Sequence, residues 1–235
     1  MSQGQANPSY GITPSGKSSI IFPGDYAAAD EGSFFTSFIA PTASTAVALT
    51  TGATALLNPV LAIQNLWTTT NGLNAMNMYL RYIKILWTVV PTSNTSVNYS
   101  TQLDPMPVKL TTTGTAMSAP VNVNGSSTVS SIAKLIAGVN VAAAASSLAR
   151  QVGYGQVTGA IPVAFDENII FFGPPSAGGD MVGTQTLVKR ISVYHAPVIV
   201  APQEWFILGL SGASWAAAAP TIGFEVGWVE RPSGQ

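Results

Sequence analysis

From Ser33 to Glu230 the chain is a succession of short apolar runs, each closed by proline, glycine or an Asn-Gly pair. That spacing favours strands and leaves little room for long helices. The first runs are SFFTSFIA (33–40), TAVALT (45–50) and PVLAIQNLW (59–67), followed by the tight-turn signal Asn71-Gly72. In MYLRYIKILWTVV (78–90), Tyr79, Arg81, Ile83, Ile85, Trp87 and Val89 fall on one face of a strand. Leu80, Tyr82, Lys84 and Leu86 fall on the other. SVNYSTQLD (96–104) follows a short Ser/Asn/Thr turn, so 78–104 reads as a hairpin. The second half continues in this style, with Asn124-Gly125 between alternating valines and β-branched or aromatic runs to the end. Around 128–150, Ile132, Leu135, Ile136 and Val139 fit a helical stripe, so one short helix at most is expected there.

Roughly nine to eleven short strands without alternating helices point to an all-β fold, an antiparallel β-sandwich or barrel. A parallel α/β sheet would need helical crossovers of about a dozen residues, and almost none is present. Residues 1–32 are rich in Gly, Ser, Pro and Gln and read as an irregular N-terminal arm; 33–235 reads as one domain. The chain has no cysteine, which removes disulfides, thiolate metal sites and cysteine nucleophiles. No apolar run approaches the roughly 20 residues of a membrane-spanning helix. The apolar stretch Ile20 to Phe22 stops at Pro23 without a basic lead, so no signal peptide is expected.

Charged residues make up only 8% of the chain and the formal net charge is −1. Typical domains carry about 25% charge. The nine basic residues are scattered, too sparse for a nucleic-acid footprint. A surface this poor in charge suits contact with other subunits better than isolation in water.

GITPSGKS (11–18) has the phosphate-loop pattern, with Gly11, Gly16, Lys17 and Ser18 at its defined positions. The mechanism needs a buried strand before the loop and a helix starting at the lysine. MSQGQANPSY precedes it, and Pro23-Gly24 would break a helix after one turn. The stretch therefore reads as part of a Gly/Ser-rich arm, and Asp166 in IPVAFDE (161–167) as no magnesium ligand.

His195 is the only histidine, and no nucleophile-elbow pattern accompanies it. The ten acids, Asp25, Asp30, Glu31, Asp104, Asp166, Glu167, Asp180, Glu204, Glu225 and Glu230, show no pair singled out for glycosidase chemistry. No catalytic, metal or cofactor site is expected. Of the five tryptophans, Trp67, Trp87, Trp205 and Trp228 belong to apolar runs; Trp215, in GASWAAAAP, is a candidate partner contact.

The order of YLRYIKILWTVVPTSNTSVNYSTQLD (79–104), IPVAFDENIIFFG (161–173), APVIVAPQEWFILGL (196–210) and FEVGWVERP (224–232) resembles tailed-bacteriophage virion structural proteins. The relatives to compare are trimeric jelly-roll capsid decoration, or cement, proteins. The resemblance implies a jelly-roll sandwich, a homotrimer, a partnership with the major capsid protein, a place on the outer head surface after synthesis in the host cytoplasm, and no catalysis. The expected capsid contact is the arm, with Tyr10, Ile20, Ile21, Phe22 and Tyr26 as apolar anchors. The competing classes are a receptor- or glycan-binding spike or tail protein and an enzyme.

Overall fold

The computed structural model describes residues 10–12, 18–20, 28–40, 47–48, 59–68, 75–89, 97–105, 115–138, 149–158, 167–173, 191–212 and 221–233. Its strands are β1 (Tyr10–Ile12), β2 (Ser18–Ile20), β3 (Phe34–Ile39), β4 (Val47–Ala48), β5 (Pro59–Asn65), β6 (Met76–Val89), β7 (Val97–Asp104) and β8 (Thr115–Ala116). They continue as β9 (Val121–Asn122), β10 (Ala133–Ala137), β11 (Arg150–Thr158), β12 (Glu167–Phe172), β13 (Ile191–His195), β14 (Ile199–Val200), β15 (Trp205–Gly212) and β16 (Thr221–Pro232).

The long strands pair as a nested set: β3 with β16, β5 with β15, β6 with β12, and β7 with β11, all antiparallel. Two further pairings, β6 with β16 and β7 with β15, join these into two sheets. One sheet has the order β11-β7-β15-β5-β10-β8; the other has β13-β12-β6-β16-β3-β9, with β14 on β6 and β4 on β16. The two sheets pack face to face as an all-β sandwich, each burying one side of its strands.

The runs 78–90 and 96–104 thus belong to different sheets and form no hairpin. Each is flanked on both sides by strands distant in the chain, β12 and β16 for β6, β11 and β15 for β7, which leaves no free edge for a local pairing. One pair, β12 with β13, is parallel. The chain between them, 173–190, is long enough for the crossover that a parallel pair requires.

β6 breaks the strict alternation expected of it. Gly227 faces Tyr82 and Trp228 faces Leu80, so Arg81 is an extra residue in a bulge. The bulge flips the phase: Met78 and Leu80 join Ile83, Ile85 and Trp87 in the core, and Tyr79 and Arg81 are only half-buried. On β16 the inward face is Ile222, Phe224, Val226 and Trp228, opposite those core residues of β6.

Residues 133–137, whose spacing fits a helical stripe, form β10 instead. Leu135 faces the core, while Ile136 packs on Ala62 and Trp205 on the other side. Leu135, Ile136 and Ala137 are all buried, so beyond exposed Lys134 there is no polar alternation to betray the strand. The described helical residues are instead a single turn at 28–30. It is tied to the sandwich through Ser33 N–H to Ala28 O (2.8 Å), Asn122 Nδ2 to Gly32 O (2.7 Å) and Asn124 Nδ2 to Asp30 O (2.9 Å).

Among the described residues, three of the four edges of the two large sheets, β8, β9 and β11, are blunt. β8 and β9 are two residues long, and β11 carries two irregularities in its pairing with β7. Short and bulged edges discourage strand addition.

Candidate functional site

Gly11 and Ser18, the described phosphate-loop letters, lie on the paired strands β1 and β2. Ile12 pairs with Ser18 and Tyr10 with Ile20, so Ser18 opens a strand where the nucleotide mechanism needs a helix N-terminus. Gly16 and Lys17 lie outside the described residues, as do Ile21, Phe22, Tyr26 and Trp215; Tyr10 and Ile20 are placed in β1 and β2 by their backbone alone.

His195, at the end of β13, closes the gap between the edges of the two sheets. Its Nδ1 donates to the Ala196 carbonyl (2.8 Å), which leaves Nε2 to accept from Thr101 Oγ1 (3.2 Å) on β7. The ring sits against Phe172, at 5.3 Å between centroids, and over Gly153 of β11, where a Cβ would collide with it. No acid is bonded to this histidine among the described residues, so the geometry is that of a fastening between sheets and not of a triad.

The acids separate by environment. Glu204 is buried and takes Arg150 Nη2 at 2.6 Å on Oε1 and the Ala201 N–H at 3.0 Å on Oε2. Glu31 pairs with Arg231 on the surface. Asp104 is buried on β7. Asp25, Asp166 and Asp180 lie outside the described residues. Among the described residues no group of three or more His, Cys, Asp or Glu is placed to hold a metal ion, and no helix is long and apolar enough to cross a membrane.

Glu230 continues the inward face of β16 beyond Trp228, which puts a carboxylate at the end of the core. It is only 4% exposed. Ser131 Oγ, the Ile132 N–H and Trp228 Nε1 all donate to it. Burial pushes its pKa above the ordinary 4.5, and the three donors offset part of that. The folded chain therefore holds this proton more tightly than the unfolded chain. The stability due to it is complete below the unfolded glutamate value and is lost as pH rises through the raised folded value. Glu230→Gln should flatten this part of the profile. In urea denaturation from about pH 7 down to about pH 4.5, wild type is expected to gain stability relative to Glu230→Gln. Parallel profiles would refute the assignment.

The tryptophans of the central strands are core residues. Trp87 donates to Asn168 Oδ1 at 2.6 Å, and both Trp87 and Trp228 are fully buried.

Functional groups converge on the outer face of the eight-stranded sheet, which sequence inspection had not singled out. Phe38 of β3, Glu225 of β16 and Lys84 of β6 are register neighbours across three strands. Lys84 Nζ lies 3.0 Å from Glu167 and 3.6 Å from Glu225. Tyr82 donates its hydroxyl to the other oxygen of Glu225 at 2.7 Å. Burial and that carboxylate push the Tyr82 pKa up, so the hydroxyl stays a donor. The Tyr82 ring lies over Gly227, where a Cβ would collide with it. Beside this polar row is a cavity of about 240 Å³ lined by Phe38, Ile39, Leu86, Gly223 and Phe224, with Lys84 and Glu225 on it. The signal was present only as outward-facing positions on three strands that are far apart in the chain.

A second surface feature lies past β9. Asn122, Asn124 and Ser127 hold the segment 121–129 in place. Asn122 Oδ1 accepts the Asn124 N–H (2.9 Å), Asn124 Oδ1 accepts the Ser126 N–H (3.0 Å), and Ser127 Oγ accepts the Val129 N–H (3.2 Å). This fastened segment displays Val121, Val123 and Val129 at 55%, 43% and 55% exposure.

Compared with known proteins, the chain matches no family model, no curated protein and no solved structure.

Proposed function

We propose that this chain is a non-enzymatic virion structural protein, a capsid decoration protein that binds the outer surface of a phage head as a trimer and stabilises the shell. The nested pairing of β3–β16, β5–β15, β6–β12 and β7–β11 supports reading the sandwich as a jelly roll, a ribbon of paired strands rolled into two sheets. The observation that carries the assembly reading is the valine display. A segment held by its own side-chain hydrogen bonds gains nothing in water from three exposed valines, but it presents a preorganised apolar contact to a second copy. Because the β8, β9 and β11 edges are blunt, assembly there proceeds through side-chain surfaces and not through strand addition. A trimer then grips neighbouring capsid subunits by several contacts at once, so modest individual contacts suffice. The proposed capsid contact is residues 1–26, with Tyr10, Ile20, Ile21, Phe22 and Tyr26 as anchors, and Trp215 is a further proposed partner contact.

The test is sedimentation of the purified chain together with copy counting in intact particles. Trimers in solution, monomers after Val121→Asp with Val123→Asp, and hundreds of copies per particle are expected. A wild-type monomer, or a few copies at one vertex, would remove the decoration reading. Deleting residues 1–26 should abolish capsid binding and leave the trimer folded; retained binding would sink the arm assignment.

A further inference from the structure

The cavity beside Phe38 has the chemistry of a sugar site. We infer that the outer face of the eight-stranded sheet binds one neutral hexose unit of a glycan, stacked on Phe38 and hydrogen-bonded by Lys84 and Glu225.

A pyranose is amphipathic in a particular way: one face of C–H groups and a rim of hydroxyls that both donate and accept. Phe38 is 52% exposed, so a ring face is open to solvent, and half-buried Leu86 extends the apolar wall; Ile39 and Phe224, whose side chains point into the core, contribute only the floor of the sheet. The cavity volume of about 240 Å³ holds one hexose and little more. Adjacent hydroxyls on the rim of a sugar need a donor and an acceptor side by side. Lys84 is a three-hydrogen donor and Glu225 an ionised acceptor, 3.6 Å apart. Both are already oriented, Lys84 by Glu167 and Glu225 by Tyr82, so little side-chain freedom is lost when a ligand arrives. Hydrogen bonds to charged groups are the stronger kind, which suits hydroxyls that must leave water.

The sign of the charge narrows the ligand class. Glu167, Lys84 and Glu225 sum to one net negative charge, so a sialic or uronic acid is repelled and a neutral hexose or N-acetylhexosamine is preferred. One shallow subsite implies millimolar affinity for a monosaccharide, raised by multivalency where several copies meet a branched glycan.

The experiment is saturation-transfer NMR on the full chain with galactose, glucose, mannose, N-acetylglucosamine and N-acetylneuraminic acid as probes. Saturable binding of at least one neutral sugar is expected, with none for the acidic one. Phe38→Ala and Lys84→Met should each weaken it tenfold or more. Phe38 is exposed and Lys84→Met keeps the aliphatic stem, so both variants are expected to fold, which circular dichroism checks. Tyr154→Ala, on the outer face of the other sheet, should change nothing. No saturable binding of any neutral probe would overturn the inference, as would binding that survives Phe38→Ala and Lys84→Met.

Discussion

Replacing Trp228 with alanine is expected to cost about 3–5 kcal/mol of folding stability, a large share of the roughly 5–15 kcal/mol that holds a domain folded. Trp228 lies on β16, in the middle of one sheet between β6 and β3. It is fully buried, and its ring stacks on Phe35 at 6.1 Å between centroids. Truncation opens a cavity that a sheet cannot close, because the flanking strands are held by their ladders. It also removes the Nε1–H that donates to buried Glu230 at 2.9 Å. Trp228→Phe separates the two effects: it keeps most of the volume, loses only the donor, and should cost about 1–3 kcal/mol. Guanidinium denaturation of both variants measures this, and a loss for the alanine variant no larger than for the phenylalanine one would contradict the cavity account.

The second large effect is expected at Asn65, which is buried at the end of β5 and joins the two sheets. Its Nδ2 donates to the carbonyls of Met76 (2.8 Å) and Val200 (3.0 Å), which belong to β6 and β14 of the opposite sheet. Its Oδ1 accepts the Trp67 N–H at 2.9 Å, and its backbone bonds Gln203 and Glu204. Asn65→Leu is nearly isosteric and leaves the Met76 and Val200 carbonyls and the Trp67 amide without these partners. An unmet buried group costs about 1–3 kcal/mol; the Val200 bond is fully buried and the other two groups regain some water, so a total loss of about 2–5 kcal/mol is expected. Leucine would bury well here if packing alone mattered. An unchanged or raised midpoint in urea would show that the hydrogen bonds contribute little.

These two positions differ in how visible they are in the sequence. Trp228 sits in an apolar run and declares itself as a core residue. Asn65 is an inconspicuous polar letter within the run PVLAIQNLW, because its partners at Met76 and Val200 come from another sheet. Asn168 is similar: an amide in a strand of isoleucines becomes legible only when Trp87 is seen donating to it. The candidate site follows the same rule. Lys84, Glu167 and Glu225 look like isolated charges, and no spacing brings them together; the register of β6, β12 and β16 does.

The sequence by itself determined that the chain is made of strands. Period-two patterning, β-branched runs and Pro or Gly breakers are local, and local sterics answer to them. The absence of cysteine and the scarcity of charge are likewise properties of the letters alone. The tertiary structure decided which strand joins which sheet, because partners such as β3 and β16 lie almost two hundred residues apart and compete with nearer ones. It also decided the phase of β6, since the bulge at Arg81 exists only against Gly227 and Trp228. β10 was settled in the same way: its buried residues Leu135, Ile136 and Ala137 have no periodicity to read until Leu135 and Ile136 find different neighbours. Burial is a relation between distant segments, and so is every site built on it.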